Sequence, residues 1–96
     1  MGEYNNQQVE MMLKNYTLLC ESDDAEFISY RVDLDAALRK LQNTSVNLYK
    51  AIVGVFILGN PIQEQANVDK VSKRQIIRRL NDATHMLTMI MNGEVL

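Results

Sequence analysis

This sequence predicts an all-α fold, a small bundle of about five helices containing a helix-turn-helix, on three observations. Apolar residues recur at helical spacing along most of the chain, from Val9 to Met91. The breaks between those stretches carry capping and turn residues: Glu21-Ser22-Asp23-Asp24, Asn43-Thr44-Ser45, Gly59-Asn60-Pro61, Asp69-Lys70-Val71-Ser72 and Asn92-Gly93. The one stretch rich in strand formers, Phe27 to Val32, finds no second strand to pair with. With 96 residues, 47% of them apolar and 23% charged, the chain suffices for one globular domain with a modest core.

The first helix is expected from about Asn5 to Cys20, with Val9, Met12, Leu13, Tyr16, Leu19 and Cys20 on its apolar side. Asp23, followed three residues later by Glu26, suits the start of the second, in which Phe27, Ile28, Leu34, Ala37, Leu38 and Leu41 face inward. The alternative is a shorter helix capped by Asp33 that leaves residues 27–32 outside it. Ser45 caps the third helix, whose Val46, Tyr49, Ile52, Val53, Phe56 and Ile57 form the cleanest apolar stripe in the chain. Gly59 suits the left-handed position after a helix, and Pro61 the first position of the next. A short helix to about Val68, a turn at Asp69-Lys70-Val71 and a cap at Ser72 lead into the last helix, which Asn92-Gly93 stops near Met91. Residues 1–96 thus read as a single domain, with an N-terminal helical part at about 5–43 and the helix-turn-helix at about 61–91.

Composition narrows the function classes. The longest nearly uncharged run, Ala51 to Gln63, is too short to span a bilayer, and the first residues lack a basic segment followed by an apolar one. Gly2 is not followed by the Ser or Thr of a myristoylation signal. A cytoplasmic protein without a membrane partner is expected. One cysteine, Cys20, and one histidine, His85, make neither a disulfide nor a structural zinc site, so no metal or other cofactor is anticipated. Asp33 and Asp35 do not face each other on a helix, and no glycine-rich phosphate loop exists. A catalytic role is therefore not expected.

The net charge of −2 conceals a polarity along the chain. Residues 1–45 hold eight acids and four bases, whereas residues 46–96 hold four acids and six bases. Lys70, Lys73, Arg74, Arg78 and Arg79 lie together with no acid among them. A phosphate meets the local field, because charges beyond about 8–10 Å are largely screened. At about 100° per residue, Ile76, Leu80, Ala83 and Leu87 share one stripe of the last helix, and Arg74, Arg78 and Asn81 fall nearly opposite. Such a helix suits the DNA major groove. Arg74 and Arg78 would read bases, guanine best of all, while Lys70, Lys73 and Arg79 hold phosphates and Ser72 orients the helix. Gln75 and Asn81 offer amides for base edges.

Gly59-Asn60-Pro61, Ala66, Val71-Ser72-Lys73-Arg74 and Ile76 to Ala83 resemble the helix-turn-helix of sigma region 4-like regulators, especially the ArpU-type late-gene activators of Gram-positive phages. Val9 to Tyr16 looks like the opening of that group, and Gly54 to Pro61 is similar to a segment of the KorA plasmid repressors. The resemblance covers roughly the C-terminal half and implies a sequence-specific DNA-binding transcriptional regulator of a phage or mobile element, with double-stranded DNA as partner. The chain departs from the pattern at Gln65 and Asp69, where apolar residues are usual, and at Lys70, where the turn glycine is usual.

Plainer readings stand beside these. A run of cations is most often a solvated helix face. Tyr4, Tyr16, Tyr30 and Tyr49 read as partial core residues with hydroxyls in water. Met86, Met89 and Ile90, with Met91, spread apolar surface wider than one stripe needs, which fits either an added core contact with the N-terminal helix or a dimer face. A homodimer that meets through Met86, Met89 and Ile90 of the last helix is expected. The rival function is a small helical inhibitor or adaptor whose acidic N-terminal half or methionine-rich last helix docks on a host protein, host RNA polymerase included.

Overall fold

The computed structural model describes residues 4–94, and among them the chain forms six α-helices, one π-helical segment and no strand. The helices are α1 (Asn6–Lys14), α2 (Tyr16–Glu21), α3 (Ala25–Thr44), α4 (Val46–Ile52), α5 (Ile62–Asp69) and α6 (Lys73–Met91). The extra helix arises at Asn15, where the expected first helix breaks in two. Asn15 leaves the helical region at φ −112°, ψ 26°, and its side-chain amide donates to the Met11 carbonyl at 2.8 Å. An asparagine that binds the preceding turn competes with the helical ladder.

Asp24, one residue later than expected, caps α3, its carboxylate accepting from the Glu26 amide at 2.9 Å. Residues 27–32 are helical, so α3 runs unbroken for 20 residues. Its burial begins only at Leu34 and continues through Ala37, Leu38 and Leu41. Phe27 and Ile28, expected to face inward, are exposed, and in the N-terminal half of α3 it is Tyr30 that packs against the core. Cys20 is exposed too, while Val9, Leu13 and Leu19 bury the face that α1 and α2 share.

The core gathers around α6, which packs against α1, α3, α4 and α5. Val9, Leu13, Leu34, Leu41, Ile52, Ile76 and Leu87 are its fully buried large side chains. Burying each stabilises the fold by about 1.5–3 kcal/mol. Thr84 and Thr88, buried in α6, donate their hydroxyls to the carbonyls four residues back at 2.8 and 2.9 Å, so neither is left unsatisfied. At the far end of α6, the Asn92 side chain clasps residue 4: its carbonyl accepts from the Tyr4 amide at 2.8 Å and its amide donates to the Tyr4 carbonyl at 2.9 Å.

The third expected helix is α only as far as Ile52. From Val53 to Ile57 it widens into a π-helix, with the Leu58 amide donating to the Val53 carbonyl five residues back. Phe56 is half-buried under the Lys14 ammonium, 5.5 Å from the ring centroid, and Val46 is exposed. Gly54 is buried against α5, and a Cβ there would clash with Oε1 and Cδ of Gln65. The Gln65 amide cannot simply swing aside, since Asn60 Nδ2 donates to its Oε1 at 3.0 Å and its Nε2 donates to Asp69 Oδ1 at 3.1 Å. Gly54→Ala is therefore expected to destabilise the protein by about 1–3 kcal/mol. In a Gln65→Ala background the same substitution should cost much less, a coupling that a double-mutant cycle by urea denaturation measures directly.

Two of the four tyrosine hydroxyls, those of Tyr4 and Tyr16, bond carboxylates rather than water. Tyr4 Oη donates to Asp33 Oδ2 at 2.7 Å and Tyr16 Oη to Asp35 Oδ1 at 2.6 Å, tying the residue before the α1 cap and the start of α2 to α3. Burial and the Asp33 carboxylate push the Tyr4 hydroxyl up to about 12, and the Asp35 hydrogen bond, with burial, raises Tyr16 as well. A raised folded-state value stabilises the fold fully below pH 10, the ordinary tyrosine value, and that contribution is lost as pH climbs toward the folded one. Stability should thus fall between about pH 10 and pH 12. Urea midpoints for Tyr4→Phe and Tyr16→Phe should fall less over that range than those of the parent protein.

Candidate nucleic-acid interface

The unit that positions the predicted contacts is α5, a three-residue turn and α6. Ala66 is buried where α5 meets α6, as its small size suggests. Lys70 takes the left-handed conformation, φ 59° and ψ 44°, and the Val71 amide reaches back to the Ala66 carbonyl at 3.0 Å. A lysine in place of the usual glycine costs about 1–2 kcal/mol of local strain. Pro61 stands just before α5, one position earlier than expected, and Gly59 has φ +80°.

Ser72 caps α6 reciprocally with Gln75. Ser72 Oγ accepts from the Gln75 amide at 3.1 Å, and Gln75 Oε1 accepts from the Ser72 amide at 3.3 Å. That box leaves the amides of Lys73 and Arg74 free to meet an anion. It also occupies the Gln75 carbonyl, so only the Gln75 amide nitrogen is free for a base edge.

Beyond the cap, Ile76, Leu80, Ala83, Thr84, Leu87 and Thr88 are buried, which fixes the rotation of α6. Arg74, Ile77, Arg78, Asn81 and His85 are exposed, and their spacing of three and four residues makes one outward stripe. Lys70, Ser72, Lys73 and Gln75 are exposed around its N-terminal end. Lys70, Lys73, Arg74 and Arg78 make no ion pair among the described residues. Ile77, 46% exposed between the two arginines, is apolar surface the core does not need. Asp82 is exposed on the C-terminal side of the stripe and bounds the basic region.

Arg79 behaves differently from the other cations. It is half-buried, and its Nη1 lies 4.0 Å from Oδ2 of Asp69, whose side chain is only 5% exposed. Asp69 directly precedes the run of bases, and the fold folds it back onto them. Its Oδ2 has no hydrogen bond, so Arg79 is the cation that offsets this buried carboxylate. Gln65 and Asp69, the two departures at usually apolar positions, are thus partners in one polar chain from Asn60 through Gln65 and Asp69 to Arg79. Only their spacing of four residues hinted at this in the sequence. Val68, next to Asp69, is exposed and takes no part in the packing.

Met86, Ile90 and Met91 are partly buried against the core, and Met89 is half-buried. No group of three histidine, cysteine, aspartate or glutamate side chains among the described residues is placed to hold a metal ion. No helix among them is long and apolar enough to cross a membrane. Comparison with protein-family models, curated proteins and solved structures gives no match for this chain.

Proposed function

We propose that this protein is a sequence-specific binder of double-stranded DNA that regulates transcription, with α6 entering the major groove by its N-terminal half. The observation that carries this reading is the charge at the start of α6. Its first turn has no acid and begins Lys73-Arg74. Cations there oppose the helix dipole, which favours acids at a helix N-terminus by about 0.3–1 kcal/mol each. Together with a strained Lys70, they are a local cost that folding alone does not explain. An anion bound at this end offsets the repulsion between these cations and the helix dipole.

In this reading Arg74 and Arg78 contact base edges, with Asn81 and Ile77 beside them, and Lys70, Lys73 and the Ser72 cap hold the phosphates. Arg79 contributes by holding α6 to Asp69 rather than by touching DNA. A single α6 reads few base pairs, so selecting a site within a genome calls for two copies on half-sites about one helical turn apart. The resemblance to ArpU-type and KorA-type regulators points to a phage or another mobile element as the setting.

Gel shifts with random and genomic DNA over a salt series test the proposal. The logarithm of the affinity is expected to fall linearly with the logarithm of salt concentration, by about 0.9 for each phosphate contact. Binding that is absent at low salt, or indifferent to salt, would remove DNA from the account.

A further inference from the structure

We infer that the apolar groove between α1–α2 and the N-terminal half of α3 is a docking site for a basic amphipathic helix of a partner protein. The groove has a volume of about 540 Å³ and shares no residue with the basic stripe of α6. Met11, Met12, Leu18, Leu19 and Phe27 line it. Met11 and Leu18 are each 64% exposed and Phe27 is 44% exposed, so its walls offer large apolar side chains that the core does not cover.

Two features select the occupant. The first is charge. Glu21, Asp23, Asp24 and Glu26 are exposed at the corner where α2 turns into α3, in sequence on either side of the lining residue Ser22 and up to Phe27. None of them pairs with a cation among the described residues. Ser22, Phe27 and Tyr30 of this corner line the groove, so the acids stand at its edge in sequence. Lys14 does not neutralise them, being held by Glu10 at 2.8 Å and lying over Phe56. Four carboxylates within six residues attract a cationic segment and repel nucleic acid and anionic membranes.

The second feature is shape. Met11, Leu18 and Phe27 are lining side chains that remain largely exposed, a broad apolar surface to be covered. A helix with apolar residues at i, i+3, i+4 and i+7 covers all three, and the methionines adapt to its side chains. Its lysines or arginines then meet the acidic corner. This surface is independent of α6, so the protein can hold a partner and DNA at once.

Fluorescence anisotropy of a labelled 18-residue helical peptide, leucine on one face and lysine on the other, tests the site. The controls are a scrambled peptide of the same composition and a version with glutamate for lysine. The basic amphipathic peptide is expected to bind saturably and at least tenfold more tightly than either control. Leu18→Asn and Phe27→Ser, both at exposed positions, should each weaken it about tenfold. Glu21→Gln with Asp23→Asn should weaken it and flatten its salt dependence, and Arg74→Ala should leave it unchanged. Equal binding of the scrambled peptide, or indifference to Leu18→Asn and Phe27→Ser, overturns the inference. Sedimentation that shows a dimer abolished by Leu18→Asn overturns it as well, since a second copy of this chain would then be the occupant.

Discussion

Ile76→Ala is expected to destabilise the protein by about 2–5 kcal/mol, whereas Ile77→Ala, one residue further on, changes stability by no more than about 0.5 kcal/mol. Ile76 is fully buried on the inner face of α6, and Ile77, about 100° further round the helix, is 46% exposed. Against a total stability of about 5–15 kcal/mol for a domain of this kind, the first change is severe. It also frees the start of α6 from α5 and removes the platform on which Arg74 and Arg78 stand, so DNA binding is expected to fail with the fold. Ile77→Ala keeps the fold and affects at most the contact with DNA. Urea denaturation of the two variants separates the cases, and similar midpoints for both would mean that α6 is rotated from the orientation described.

Arg74→Ala combined with Arg78→Ala is expected to remove about 2–6 kcal/mol of specific DNA affinity, from about 1–3 kcal/mol for each base contact. Both side chains are exposed and unpaired among the described residues, so the variant should melt like the parent protein. The two stand four residues apart on one helix, and their effects need not add. Lys73→Ala is expected to act differently, weakening every DNA sequence alike and lowering the salt slope by about one contact. An unchanged ratio between the best site and a scrambled one in the double variant would show that the arginines read no bases.

The all-α fold was legible because apolar periodicity and capping chemistry act within a few residues of each other. Ser45, Gly59, Ser72 and Gly93 mark boundaries by their own side chains or the lack of one. Events that depend on a distant partner were not legible. Nothing near Val53 announces a π-helix, and the close approach of Gln65 to Gly54 within it joins residues on either side of the α4–α5 corner. The same holds for Arg79, which local charge counting groups with four free cations and tertiary structure assigns to Asp69. Phe27 and Ile28 look like core residues by pattern, yet the core has no element left to cover them. The outward stripe of α6 was read correctly because the same apolar residues that bury one side of a helix expose the other.

The central position of α6 bears on how the protein is made. It is the last helix among the described residues, and α1, α3, α4 and α5 all pack against it. Ribosomes add about 5–20 residues per second, so Leu13, Leu34, Leu41 and Ile52 wait seconds for Ile76 and Leu87 to appear. During that interval the nascent chain shows much of its apolar surface and no closed core. Closure of the core is therefore expected to wait for α6, and the basic helix that completes it acquires its outward face at the same moment.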